Sequence, residues 1–116
     1  MAVVLMEYSL LDRIKIILKL DIKDNSKDDL LMILMNNAVS TVRIYLGVDE
    51  LPEEMEFVAE ELTVARYRKI GSEGISTEKV EELSTTFSID DLNRYKGILN
   101  VYKDNHSLGG KKLKTL

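Results

Sequence analysis

Apolar residues recur along this chain at helical spacing, and the recurrence divides it into segments. In the first, about Tyr8 to Leu18, Leu11, Ile14 and Leu18 fall three and four residues apart, with Asp12, Lys15 and Lys19 between them. That period predicts an amphipathic helix with one buried face. The polar run Asp21–Asn25 ends it. A second helix is expected from Ser26, a good N-cap, with Asp28 and Asp29 in its first turn, to about Leu46 before Gly47. Leu31, Leu34, Ala38, Val42 and Tyr45 form one stripe of this helix; Leu30, Ile33, Asn37 and Ile44 form another. A helix apolar on two sides belongs at the centre of its domain, or packs partly against another subunit.

Leu51-Pro52-Glu53-Glu54 opens a third helix, because proline and acids suit a first helical turn. Met55, Val58, Ala59, Leu62 and Ala65 make its expected buried face; Glu56, Glu60 and Glu61 lie off that stripe and read as solvated. Gly71 ends it. A fourth helix is capped by Ser88 with Asp90 and Asp91, and buries Leu92, Tyr95, Leu99 and Tyr102. The predicted core joins Leu11, Ile14, Leu18, Leu31, Leu34, Ala38, Val42, Val58, Leu62, Leu92, Tyr95 and Leu99.

Residues 72–88 break the helical pattern, being rich in Ser, Thr and Glu. Long connections without structure of their own are uncommon and usually functional. Ile75 and Thr77 on one side and Leu83, Thr85 and Phe87 on the other allow a short hairpin turning near Lys79–Glu82; a helix over Glu78–Leu83 is the alternative. With so few large apolar groups the segment cannot build a core, so it is expected to reach a partner through Gly71, Ser72, Glu73, Gly74, Ile75, Leu83 and Phe87. The fold class is therefore all-α: a small four-helix domain, residues 1–104, with a protruding β-hairpin or loop at 72–88. Residues 105–116 form a basic C-terminal tail, expected to stay unfolded until a partner binds it.

Charge and composition narrow the function. The chain has 116 residues, 45% hydrophobic and 31% charged, as a single globular domain has. Residues 1–102 carry 12 Lys and Arg against 19 Asp and Glu, a net of −7; residues 103–116 carry four lysines against Asp104, a net of +3. An acidic body opposes tight binding to a phosphate backbone. It also removes the basic recognition helix of a helix-turn-helix reading, since the third helix begins with Glu53, Glu54 and Glu56. No cysteine is present and His106 is the single histidine. Disulfides, thiolate chemistry and Cys-based zinc sites are excluded, and a His-based catalytic pair has nothing to build on. Asp21, Asp24 and Asp28 lack the spacing, glycine and terminal Glu of a calcium loop. Gly71-Ser72-Glu73-Gly74 lacks the Gly-Lys-Ser/Thr ending of a phosphate cradle. No enzyme activity, cofactor or metal is expected, nor is a signal peptide or a membrane span.

The order of these segments carries a resemblance. Asp28-Asp29-Leu30-Leu31 opens the long second helix and Leu51-Pro52-Glu53-Glu54 opens the third. The third ends in Ala65-Arg66-Tyr67-Arg68-Lys69-Ile70-Gly71-Ser72-Glu73-Gly74, and the polar segment closes in Phe87-Ser88. Over roughly residues 8–103 this resembles the head–tail connector (adaptor) proteins of long-tailed bacteriophages. The resemblance implies a structural protein of the virion neck, assembled in the host cytoplasm. It implies a homo-oligomeric ring, commonly twelve-fold, beneath the portal protein. Such a ring would extend the DNA channel, with transient and non-specific passage of DNA, and offer a platform to the next neck or tail-completion protein. It further implies a C-terminal segment that engages the portal, here Lys103, Leu108, Lys111, Lys112, Leu113 and Lys114. The stripe Leu30, Ile33, Asn37 and Ile44 is the expected subunit interface on the second helix. The competing reading is a small helical protein–protein interaction or regulatory module, which solution mass would distinguish.

Overall fold

The structure, a computed structural model, describes residues 8–71 and 89–115. Helices α1 (Leu10–Ile17), α2 (Asp28–Leu46), α3 (Glu56–Gly71) and α4 (Lys96–Thr115) make up most of it. A 3-10 turn over Glu53–Met55 precedes α3, and a 3-10 segment over Ile89–Tyr95 precedes α4. Among the described residues there is no strand. The hairpin expected at 72–88 lies outside them.

The helix ends follow local chemistry. Ser9 caps α1, its hydroxyl oxygen accepting the Asp12 amide at 3.1 Å. Both α1 and α2 stop in the same way. After α2, Gly47 adopts a left-handed conformation (φ 71°, ψ 37°), its amide reaching the Ile44 carbonyl at 3.2 Å while Val48 donates to the Arg43 carbonyl at 3.1 Å. After α1, Lys19 takes the left-handed position (φ 64°), with bonds from Lys19 to Ile16 and from Leu20 to Lys15 of 2.9 and 2.8 Å. This paired closure satisfies carbonyls that a helix end would leave open. A lysine there carries a strain that glycine does not.

Three expected boundaries move. Ser26 is not the α2 cap. Its amide donates to the Asp24 carboxylate at 2.9 Å, as Lys23 donates to Asp21, so the linker is folded into side-chain-supported turns. Helix α2 starts two residues later, with Lys27 at the cap position and no side-chain cap bond. The expected fourth helix begins as a tight 3-10 segment and becomes α-helical only from Lys96. At the other end, α4 runs through Thr115, where the sequence suggests an unfolded tail from Asn105. His106 supports this continuation, stacking on Tyr102 one turn back with ring centres 3.8 Å apart and its Nδ1 2.9 Å from the Tyr102 carbonyl.

The predicted stripes pack into the core. Ile14, Leu31, Leu34, Ala38, Val42, Val58, Leu62, Leu92 and Leu99 are all buried, as are Met55 and Ala59. Leu11, Leu18 and Tyr95 are partly buried and packed at the edge. Burial of each large apolar side chain stabilises by about 1.5–3 kcal/mol. Two clusters result. The larger joins α2, α3, Leu92 and Leu99; the smaller joins Ile14, Leu31 and Val64 beneath α1.

Helix α2 contacts all three other helices, and α3 is buried on more of its circumference than its apolar stripe suggests. Helix α3 packs on both α1 and α2, and Thr63, Val64, Arg66 and Ile70 are buried in addition to the expected stripe. Thr63 meets its buried polarity locally, donating its hydroxyl to the Ala59 carbonyl at 2.7 Å. Two expectations on α3 fail for this reason. Glu60 is buried, because Arg13 of α1 reaches it at 2.6 Å, and Ala65 is exposed.

Candidate assembly surfaces

The second apolar stripe of α2 faces outward. Residues 33, 37 and 44 recur within a narrow arc of the helix, and Leu31, Leu34, Ala38 and Val42 occupy the buried side. Ile44 is 79% exposed and Ile33 45% exposed, whereas Leu30 and Asn37 are half-buried at the margin. Met32 is exposed beside them. Thr41, beside the row, donates its hydroxyl to the Asn37 backbone carbonyl at 2.8 Å. An isoleucine as exposed as Ile44 adds little to this chain's own core.

A second surface lies across the α1–α3 side. Ile16 and Ile17 are exposed, off the stripe that α1 buries. Ile17 stands beside Val64 and Ala65 in a shallow depression of about 270 Å³. Its polar rim includes Arg68 and Arg94, and Tyr95, whose hydroxyl donates to Glu61 at 2.7 Å. Partial burial first, and that bond to Glu61 next, push the Tyr95 phenol up to about 12. A neighbouring depression of about 230 Å³ shares Ile17, adds Ile16 and is lined by the Arg13–Glu60 pair. Sequence reasoning missed this surface. Its signal was the adjacent pair Ile16-Ile17, two apolar residues beyond what a single buried stripe needs.

Helix α4 is anchored by Leu99 and by Tyr45, whose hydroxyl donates to the Asn100 side chain at 2.7 Å. Lys103 of the expected portal-binding set is exposed, its ammonium 5.2 Å from the centre of the Tyr45 ring. Leu108, Lys111, Lys112, Leu113 and Lys114 lie on the helical backbone of the same element. Gly71 is the last residue of α3. Ser72, Glu73, Gly74, Ile75, Leu83 and Phe87 lie outside the described residues.

Among the described residues no group of His, Cys, Asp or Glu is arranged to hold a metal ion. Nor is any helix there long and apolar enough to cross a membrane. Asp21, Asp24 and Asp28 act separately. The first two close turns, and two hydrogen bonds from Ser26, the backbone one foremost, hold the Asp24 carboxyl below its ordinary range. Asp28 accepts from Lys15.

A small helical body with apolar surface left on two sides and no chemical centre among its described residues has the features of a structural assembly protein. The chain belongs to the phage gp6-like head-tail connector family, whose model matches residues 8–103. It is thus a structural connector and not an enzyme, and its place is the neck of the phage particle. No curated protein and no solved structure matches the chain.

Proposed function

We propose that copies of this connector join side by side into a ring beneath the portal, extending the DNA channel and forming a platform for the next neck or tail-completion protein. The observation that carries this is the outward row on α2, Ile33 and Ile44 above all, in a chain of the connector family. Burying that row against a neighbour removes apolar area from water, the main driving force of association. Its place in the interface is shared with Leu30 and Asn37. The net charge of −7 over residues 1–102 suits a channel through which DNA slides without adhering.

Two further contacts complete the reading. The 103–116 segment, with a net charge of +3, engages the portal through Lys103, Leu108, Lys111, Lys112, Leu113 and Lys114. The 72–88 segment reaches a neighbouring subunit or the next tail protein. Electron microscopy of the purified protein and of isolated necks tests the ring directly. Closed rings in wild-type preparations that disappear on Ile44→Glu, with helicity unchanged, are the expected outcome. Necks that assemble normally with Ile44→Glu would remove α2 from the interface.

A further inference from the structure

A ring needs two different surfaces on each copy, since a head-to-tail contact closes only when one face meets another. The α2 row and the α1–α3 surface belong to different sides of the bundle. On α3, Val64 and Ala65 each lie three or four residues from both Glu61 and Arg68, so the four share one face, apart from the stripe of Met55, Val58, Ala59 and Leu62 that packs in the α2 cluster. One surface projects, as a row of isoleucines; the other is a pair of adjoining depressions.

Their lengths are of the same order. Ile33 and Ile44 are eleven residues apart, about 16 Å along the helix, and the depressions follow α3 from Glu60 to Arg68 over about 12 Å, with α1 alongside. Their charges correspond as well. The exposed row begins beside Asp29 at the N-terminus of α2, and one end of the depressions is rimmed by Arg68 and Arg94.

From this we infer that the α2 row of one copy seats in the α1–α3 depressions of the next, Ile33 and Ile44 packing on Ile16, Ile17, Val64 and Ala65. The occupant of the depressions is a second copy of this chain. The inference rests on the reading of α2 as a subunit interface and adds the surface that receives it. It also sets direction, because Asp29 falls toward Arg68 and Arg94.

The absence of native cysteine makes the test clean. Ile33 and Ala65 are both exposed and, with Asp29 toward Arg68, face each other across the contact, so Ile33→Cys and Ala65→Cys leave the core intact, which circular dichroism verifies. Each variant is oxidised at the highest soluble concentration, alone, mixed one to one, and combined in one chain. Neither single variant should cross-link to itself. The mixture should give a one-to-one covalent dimer, and the doubly substituted chain a ladder of multimers. If Ile33→Cys alone forms a covalent dimer, the row meets its own copy; α2 then stands as an interface and the depressions do not receive it. No cross-link in any sample, including from a chain that remains monomeric at that concentration, overturns the inference. Rings seen by microscopy despite that result would leave the connector reading intact.

Discussion

The two hydrophobic clusters of this domain are closed by different means. Between α2, α3 and the start of α4, apolar side chains from Ala38 to Leu99 meet one another and exclude water on their own. Beneath α1, only Ile14, Leu31 and Val64 are fully committed, and charged groups finish the seal. Lys15 is 1% exposed; its ammonium donates to the Ile22 carbonyl and to Asp28, both at 2.8 Å. Eight residues make too short a helix to persist alone in water, so α1 depends on this clip and on Arg13–Glu60. The contrast shows a small domain enlarging its core with lysine. The stem of Lys15 fills apolar space, and its head ties the α1–α2 linker to the start of α2.

Four changes break or sharpen that contrast. The largest effect is expected at Leu62→Ala in the all-apolar cluster, about 2–5 kcal/mol of lost stability in chemical denaturation. A loss under about half a kcal/mol would mean the cluster is misassigned. Lys15→Ala follows, at about 2–3 kcal/mol, because Asp28 keeps some contact with water and loses less than a fully buried partner would. Amide exchange should quicken in α1 well before α3. Uniform acceleration through both helices would show that the clip is not local.

Lys19→Gly acts in the opposite direction. Removing a non-glycine residue from the left-handed region gains about 1–2 kcal/mol, and the freer unfolded chain returns part of it, leaving about 0.5–1 kcal/mol of stabilisation. A lower denaturation midpoint would mean that the lysine side chain contributes more than its backbone costs. The smallest effect concerns Tyr95. Its folded pKa, about 12, lies above the ordinary tyrosine value near 10. Its contribution to stability is therefore whole below pH 10 and lost as the pH rises from 10 through 12. Tyr95→Phe should remove that component of the alkaline decline, and tyrosinate absorbance should show one phenol titrating late in wild type only.

What could be read in advance divides along the same line. The α2 stripes and the run Val58, Ala59 and Leu62 follow a helical period, and period is a property of the chain alone. The outward Ile33 and Ile44 were readable for that reason. Lys15 reads only as a polar residue between the apolar positions of α1, because nothing local marks a lysine whose partners, Ile22 and Asp28, arrive by folding. Ser26 was a sound cap by composition, yet Asp24 lay two residues before it and took its amide. The extent of α3 burial was hidden because Glu60 and Arg66 interrupt its apolar pattern, and the Arg13 that covers Glu60 arrives from another helix. The groove beside Ile17 arises from three elements meeting, which no single stretch of sequence contains.

Gly47 carries one more consequence. A β-carbon placed there meets no atom within 4 Å, so the site has room for a side chain. What it penalises is the wrong mirror image. With φ at 71°, the backbone suits a residue of D configuration as naturally as an ordinary helix suits an L one. Position 47 therefore selects for chirality and not for volume. L-alanine should be tolerated there at a cost in stability, as Lys19 is after α1, while D-alanine, introduced by chemical ligation, should hold the end of α2 more firmly than glycine does.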